Sequence, residues 1–359
     1  MELPDIKSEI ETLSRRLSKV QDCLDLPALT AKIQQLYRLA AQPEFWHNQA
    51  TVDRTLQELD DLTSQQQQYY RWKTSLEDAL AASELLTLEQ DRSLLLEAKT
   101  KINQLNSELE EFELHKLLSH SYDQNGAFLI VNAGADDADA QDWAEMLLRM
   151  YACWGEFQNY KVRIVEEAYG DYAGIKSATL EIDGRYAFGY LKAEIGTHRV
   201  KRLSPFNPSS KRTTSSATVE VVPILDNSVE FEIPLQDLEI IIPARNVNTN
   251  GVQTRVGIVH IPTGLGVFCN CQRSQLQNKE KAIAILKSKL YAIALSQNIQ
   301  PDKIKAVPAN PIREYIFHPY GMVKDLRTGV ETTAFSSVMD GNIDLFIKAY
   351  LRQTNQLVA

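Results

Sequence analysis

Residues 139–155 read DAQDWAEMLLRMYACWG, and this stretch decides the fold class of the central part of the chain. Its apolar side chains recur every three or four residues, as on one face of a helix, and Gly155 follows where helices commonly stop. Alternating runs typical of strands lie on both sides, at 128–132, 162–166 and 178–182. The pattern predicts a helix packed on a sheet and therefore an α+β fold. The apolar helix face consists of Trp143, Met146, Leu147, Met150 and Tyr151.

The first third of the chain has a purely helical pattern. Apolar side chains at spacings of four and three begin with Ile6, Ile10 and Leu13, and similar stripes continue to Phe112. Such stripes predict long amphipathic helices, so we expect residues 1–116 to form a helical bundle. The pattern leaves open whether the bundle also binds a protein partner.

After the central helix, further alternating runs predict a second α+β unit. Five runs precede a helical stretch at 274–295, and SQNIQPDKIKAVPANP (296–311) is typical of a linker to the last segment. The five predicted strands are 217–222, 229–233, 238–242, 256–261 and 265–269.

Composition excludes several classes of protein. A chain of 359 residues with 44% hydrophobic and 24% charged residues is long enough for two or three globular domains. No apolar run approaches the roughly 20 residues of a membrane span, and MELPDIKSEIETL lacks the features of a signal peptide. We expect no membrane partner and a cytoplasmic location, or the plastid stroma if a transit peptide was removed. The net charge of −9 argues against DNA and general nucleic-acid binding, but a local basic patch is compatible with it.

Side chains that could perform catalysis or hold a metal give weak signals. The acidic cluster in residues 134–143 lacks the glycine and glutamate of a calcium loop, and we interpret it as helix capping. Cys269 and Cys271 lack the further ligands of a zinc site and are interpreted as small strand residues. His198 has no nucleophile motif beside it and is interpreted as a hydrogen-bonded loop residue. We therefore predict no catalytic residue, no metal and no cofactor.

Positive charge concentrates in residues 199–212, on both sides of the turn SPFNPSS. Cations bind phosphates, while hydroxyls and an exposed aromatic ring can contact or stack on bases. This composition predicts an RNA-binding surface, with an ordinary solvated loop as the alternative because short basic runs are common. The candidate residues are Arg199, Lys201, Arg202, Ser204, Pro205, Phe206, Lys211, Arg212, Thr213 and Thr214.

Several of these stretches also resemble a known family, peptide chain release factor 2, in the same order along essentially the whole chain. The resemblance implies a helical domain, a discontinuous decoding domain, and an inserted domain that carries a hydrolytic loop to the peptidyl-transferase centre of the ribosome. We accordingly expect a helical bundle at 1–116, a decoding domain at 117–228 and 316–359, and an inserted domain at 229–315. The stretches are DAQDWAEMLLRMYACWG (139–155), GIKSATLEIDGRYAFGYLKAEIGTHRVKRLSPF (174–206), RSQLQNKEKAIAILKSKL (273–290) and KDLRTGVETT (324–333).

The family discriminates stop codons with a Ser-Pro-Phe tripeptide, which is present here at 204–206. A neighbouring family segment reads Arg-His-Thr-Ser-Phe, whereas residues 212–216 read RTTSS, with Thr213 in place of the histidine. The resemblance implies that the histidine ring stacks on codon bases, an interaction worth about 1–3 kcal/mol per base. We expect codon reading to be weakened.

The family also has a glycine-rich loop that ends in Gly-Gly-Gln, and the backbone N–H of its glutamine can stabilise the oxyanion formed during ester hydrolysis. The matching interval here, IIPARNVNTNGVQTRVG (241–257), contains no Gly-Gly-Gln. We expect a degenerate loop without hydrolytic activity. Its candidate residues are Arg245, Asn246, Asn248, Asn250, Gly251 and Gln253.

A third departure lies in the linker. The family segment contains a Gly-Asp pair and a Trp that rearrange on codon recognition, whereas residues 296–315 contain no Trp and three prolines. Three departures confined to functional segments suggest that the scaffold serves a different role.

We therefore expect a release-factor-2-like protein that binds the ribosomal A site or mRNA, lacks peptidyl-tRNA hydrolysis, and regulates translation or protects transcript ends. One alternative is an active class I release factor that terminates translation at UGA or UAA. Another is a protein–protein interaction module that uses the N-terminal helices and retains a vestigial RNA surface. Charge reversal at Lys201, Arg202, Lys211 and Arg212 would separate RNA binding from this last alternative, since phosphate contacts should dominate affinity.

Overall fold

A computed structural model describes residues 3–47, 49–88, 91–118, 120, 122–206, 212–225, 233–242, 254–297, 311–318 and 320–356. The chain divides into two compact units, Met1–Lys116 and Leu117–Ala359. The first unit is helical and the second mixes helices with sheets, which confirms the predicted α+β class with an N-terminal helical region. No described helix is both long and apolar enough to cross a membrane.

The helical unit is built around the predicted apolar stripes. Ile6, Ile10 and Leu13 are buried, and they belong to one core cluster with Trp72 and Leu109. A helix with an apolar stripe gains stability by burying that stripe against its neighbours, so long stripes produce long helices. The helices are α1 (Leu3–Leu24), α2 (Leu26–Ala40), α3 (Gln49–Leu88) and α4 (Arg92–Leu117), with a short 3-10 turn at Pro43–His47.

The second unit contains a mixed eight-stranded sheet. Its strand order is β11-β10-β9-β4-β5-β1-β3-β2. The strands are β1 (Ala127–Ala133), β2 (Lys161–Tyr169), β3 (Ile175–Asp183), β4 (Gly196–Leu203), β5 (Arg212–Pro223), β9 (Pro311–Ile316), β10 (Met322–Asp325) and β11 (Glu331–Thr332).

The smaller sheet has the order β6-β7-β8, with β6 at Leu238–Ile241, β7 at Val256–His260 and β8 at Leu265–Cys269. Helix α7 (Gln275–Gln297) packs on it. Ile258 of β7 and Ile285 of α7 belong to one buried cluster with Phe128 of the large sheet. This shared core joins the smaller sheet and α7 to one face of the large sheet.

The predicted central helix is α5 (Ala138–Phe157), which contacts the large sheet through β1, β2, β3 and β5. Trp143 and Leu147 are completely buried, and the indole of Trp143 donates to the carbonyl of His198 at 3.0 Å. The remaining described helices are α6 (Ala187–Leu191), α8 (Phe335–Met339) and α9 (Asp344–Gln356), with 3-10 turns at Lys192–Glu194 and Leu235–Asp237.

Three sequence interpretations differ from the structure. Cys271 lies beyond the end of β8 at Cys269 and is exposed, so it is not a strand residue. His198 is a completely buried strand residue of β4, not a loop residue. The returning segment joins the large sheet at Pro311, where β9 begins, five residues before the predicted start at 316. Prolines near 311 mask this strand in the sequence, because proline is usually a strand breaker except at strand ends.

Candidate nucleic-acid interface

The hairpin of β4 and β5 carries most of the predicted RNA-binding residues. Partners in an antiparallel register share one face of a sheet, and successive residues alternate between faces. The intervening residues 207–211 lie outside the described part of the chain, and with them Lys211. The register pairs are Arg199 with Ser216, Lys201 with Thr214 and Leu203 with Arg212 on one face, and Arg202 with Thr213 on the other.

Arg202 is held on the face that α5 covers. Its guanidinium donates to Asp139 Oδ1 at 3.1 Å and lies 2.5 Å from Asp142 Oδ2, and its side chain is only 7% exposed. Residues three positions apart lie on the same side of a helix, so the two carboxylates reach one guanidinium together. Arg202 is thus placed to anchor the hairpin to α5, and not to meet a phosphate in solvent.

The Ser-Pro-Phe tripeptide is tied to the same carboxylate. Ser204 Oγ donates to Asp139 Oδ2 at 2.5 Å and accepts from the backbone N–H of Phe206 at 3.2 Å. Ser204 is buried, whereas Pro205 is exposed and Phe206 is 43% exposed. The tripeptide is therefore anchored at its first residue and presents an apolar surface and an aromatic ring to solvent.

The opposite face of the hairpin presents charged and hydroxyl groups. Arg199 and Lys201 are partly exposed, and both pair with Glu314 of β9. Arg212 and Thr214 of β5 are exposed. Cations and hydroxyls in such proximity can bind the phosphates and sugars of a nucleic acid.

Thr213 occupies the position that the resemblance assigns to histidine. It lies opposite Arg202 and is half-buried, and its hydroxyl has no hydrogen-bond partner among the described residues. A threonine has no aromatic face, so this position cannot stack on a base.

A buried ionic network links β9 and β10 to Glu194, just before β4. Arg313 of β9 donates to Glu194 at 2.6 and 2.7 Å and to Asp325 of β10 at 3.2 Å, and all three side chains are completely buried. Burial is the largest single effect on Glu194 and opposes its ionisation, but the charge and hydrogen bonds of Arg313, together with weaker effects of neighbouring charges, outweigh it and lower the pKa of that carboxyl. Burial lowers the pKa of the neighbouring His198 to about 4, so its ring is neutral at pH 7. The network fixes β9 beside β4 and with it the position of the exposed face.

Sequence reasoning missed three residues of this site, namely Asp139, Asp142 and Glu314. The capping interpretation is correct for Asp137, which accepts from the N–H of Ala140 at 2.8 Å at the start of α5. The spacing of three between Asp139 and Asp142 was an available signal for a shared partner, although it could not identify Arg202. Nothing local indicates the contact of Glu314, because its partners lie more than a hundred positions away.

The candidate residues of the degenerate loop all lie within 243–253, outside the described residues. The next described residue is Thr254, whose carbonyl accepts from the completely buried Asn278 at 2.7 Å. Nearby, the sulfurs of Cys269 and Cys271 lie 3.4 Å apart as free thiols. Among the described residues no group of three His, Cys, Asp or Glu side chains could hold a metal ion.

Two domain families match the chain over most of its length. Residues 29–219 match the PCRF domain and residues 228–327 match the RF-1 domain. The chain therefore belongs to the peptide chain release factor family, a family of translation termination factors.

The individual relatives with high sequence identity include proteins named release factor 2. "Peptide chain release factor PrfB1, chloroplastic" of Arabidopsis thaliana is 46% identical over 361 residues, which cover 97% of this chain and 79% of the relative. "Peptide chain release factor 2" of an Exiguobacterium species is 39% identical over 365 residues, covering 99% and 100%. The solved structure of RF2 of Thermus thermophilus matches with a TM-score of 0.71 at 30% identity and covers 95% of this chain and 99% of that one.

Proposed function

We propose that this chain is a release-factor-2-like protein that binds the ribosome or mRNA and has lost peptidyl-tRNA hydrolysis. One observation carries the proposal: Gly-Gly-Gln is absent from the sequence, whereas Ser204–Phe206 is intact and anchored by Asp139. A scaffold that keeps its RNA-facing end and lacks its hydrolytic motif is suited to bind without cleaving.

The proposed RNA contacts divide into two groups. Phe206 offers a ring for stacking, Pro205 an apolar surface, and Arg212 and Thr214 a cation and a hydroxyl. Lys211, Arg199 and Lys201 would add positive charge. Arg202 and Ser204 act as positioning residues because both are buried against α5, and Thr213 provides no stacking surface.

The proposed loss of hydrolysis rests on backbone chemistry. A glycine permits backbone conformations that a β-branched residue such as Val252 does not readily adopt. Removing a single preorganised oxyanion donor costs about 10²–10³ in rate. Only Thr254 and Arg255 separate Gln253 from the start of β7, so the chain after this glutamine is short.

Within this proposal, residues 1–116 form a helical domain that could also bind a protein partner. Residues 117–228 together with the returning segment from 311 to 359 form the RNA-binding domain, and the residues between them form the inserted domain with the degenerate loop. The relatives are bacterial and chloroplastic, so we place the protein in a bacterial-type cytoplasm or the plastid stroma. Regulation of translation or protection of transcript ends would require only binding.

Peptide release from purified ribosomes that hold a labelled peptidyl-tRNA at UGA, UAA or a sense codon tests the proposal. Co-sedimentation with the ribosomes and binding of a labelled single-stranded RNA are measured on the same preparation. Release factor 2 of Exiguobacterium serves as the positive control. We expect no peptide release, and we expect the protein to bind the ribosome or the RNA.

Codon-dependent release above background would identify an active terminator and overturn the proposal. Absence of both ribosome and RNA binding would favour an interaction module with a vestigial RNA surface. Binding that survives charge reversal at Lys201, Lys211 and Arg212 would also contradict the proposed surface, because phosphate contacts should dominate affinity.

A further inference from the structure

Three charged side chains form a partly exposed cluster on the face of the large sheet that is opposite to α5. Arg199 Nη1 lies 3.2 Å from Glu314 Oε1, and Lys201 Nζ lies 3.1 Å from Glu314 Oε2. The side chains of Arg199 and Lys201 are 38% and 45% exposed, whereas that of Glu314 is only 16% exposed. Each carboxylate oxygen is thus assigned to one cation.

The backbone determines this arrangement. Strands β4 and β9 pair in parallel with Arg199 in register with Glu314, and residues two apart in a strand lie on the same face. On the other face, the neighbours Arg313 and Tyr315 are completely buried, and Arg313 is bound by Glu194. With its neighbours fixed in this way, Glu314 stays between the two cations.

The carboxylate resembles a bound phosphate in its contacts. It places two anionic oxygens against an arginine and a lysine, which is how a phosphodiester would engage the same pair. Partly exposed ion pairs contribute little to stability, so the cluster does little for the fold itself. Its main electrostatic effect is to reduce the net charge of the three groups to a single positive charge.

We infer that Glu314 is a specificity-determining residue that competes with RNA phosphates for Arg199 and Lys201. The inference rests on the proposed RNA-binding function. An RNA that offers only its backbone must displace Glu314 or bind a weakly positive surface. An RNA that also offers bases to Phe206 gains contacts that Glu314 does not oppose, so the cluster favours base-dependent over general polyanion binding.

Glu314→Gln in the full-length protein tests this inference. The change keeps the size of the side chain and removes its charge, so we expect tighter binding of a labelled single-stranded RNA. If one further phosphate is neutralised, the slope of log Kd against log salt concentration increases by about 0.7. The affinity ratio of variant to wild type should then rise by a further ~2.6-fold between 200 and 50 mM salt.

Glu181→Gln is the matched control, because Glu181 of β3 pairs with Lys281, is only 15% exposed, and is separated from β9 by β4, β5 and β1. It changes the net charge equally and should alter binding little. Adding Arg199→Gln and Lys201→Gln to Glu314→Gln should abolish the gain. Thermal unfolding confirms that each variant is folded, and Glu314→Thr provides a second variant with high strand propensity.

The outcomes distinguish the inference from the proposed function. If the wild type binds RNA and both Glu314 variants bind it equally or more weakly, the inference is overturned and the proposed function stays intact. An equal gain in Glu181→Gln would also overturn it, since the effect would then be one of net charge. Absence of RNA binding by wild type and variants alike would overturn both.

Discussion

Replacement of Asp139 by alanine should release the Ser-Pro-Phe tripeptide from α5. The Asp139 carboxylate is 16% exposed and makes hydrogen bonds with Ser204 and Arg202. Hydrogen bonds to charged groups contribute about 1.5–3 kcal/mol each. Because Arg202 keeps its pair with Asp142, we expect the lower end of the sum, a loss of about 3 kcal/mol.

For a unit of this size, about 3 kcal/mol corresponds to a fall in Tm of roughly 6–12 °C. The assay is thermal unfolding of the full chain, with hydrogen exchange at residues 204–206 as a local readout. Binding of single-stranded RNA should also weaken, although Asp139 itself is not expected to touch RNA. The change in exchange should be concentrated at this turn.

Asp171→Ala is the control, because it removes an exposed acidic side chain away from Ser204. Asp171 is 70% exposed and pairs with Lys176 at 3.0 Å, so its replacement should cost less than about 0.5 kcal/mol. Equal losses in the two variants, or unchanged exchange at 204–206 in Asp139→Ala, would refute the idea that this carboxylate anchors the tripeptide.

Three further predictions follow from the buried groups and the degenerate loop. Because burial lowers the folded-state pKa of His198 to about 4, the unfolded chain binds more protons between about pH 4 and 6.5, and stability should fall as the pH drops through that window. Between pH 7 and 5 this should cost about 2 kcal/mol, and urea titrations should show the added pH dependence disappear in His198→Gln. Arg313→Met should destabilise the second unit by about 3–5 kcal/mol in urea titrations, because it leaves the Glu194 carboxylate buried without its partner, whereas a loss below about 1 kcal/mol would contradict this role. Val252→Gly would recreate Gly-Gly-Gln with Gln253, but we expect no restored peptide release because the glutamine lies so close to β7; release at UGA would show that the tripeptide alone was lacking.

Patterns that repeat locally predicted much of the architecture. The stripes that begin at Ile6 predict the helical bundle, and the apolar face around Trp143 predicts the central helix packed on a sheet. Helical periodicity arises from neighbours within a few positions, so sequence alone contains it. The basic and hydroxyl residues around Phe206 predict one RNA-binding surface. The structure places the described ones in one hairpin, with Arg202 and Thr213 on the face turned to α5, and the RNA-binding role stays a prediction.

Non-local contacts were not predictable in the same way. The pairing of β4 with β9 joins Arg199 to Glu314 across 115 positions, and no local pattern specifies it. The basic residues that flank His198 are typical of a surface loop, whereas alternate residues of β4 are buried and His198 is one of them. The same basic neighbours predict Arg202 to be a surface cation, whereas its side chain is only 7% exposed. The sequence around a charged side chain does not show whether the fold will place an oppositely charged partner beside it in the core.

The parallel pairing of β4 and β9 has a consequence for folding during synthesis. When β4 leaves the ribosome, the strand that will cover one of its edges is still about 115 residues from being made, a delay of roughly 6 to 23 s at 5–20 residues per second. During that interval the β4 edge has unpaired backbone groups and is open to association with other chains. Nascent chains that stop before residue 311 should therefore aggregate or recruit chaperones, and the large sheet should complete its folding only after the last segment has emerged.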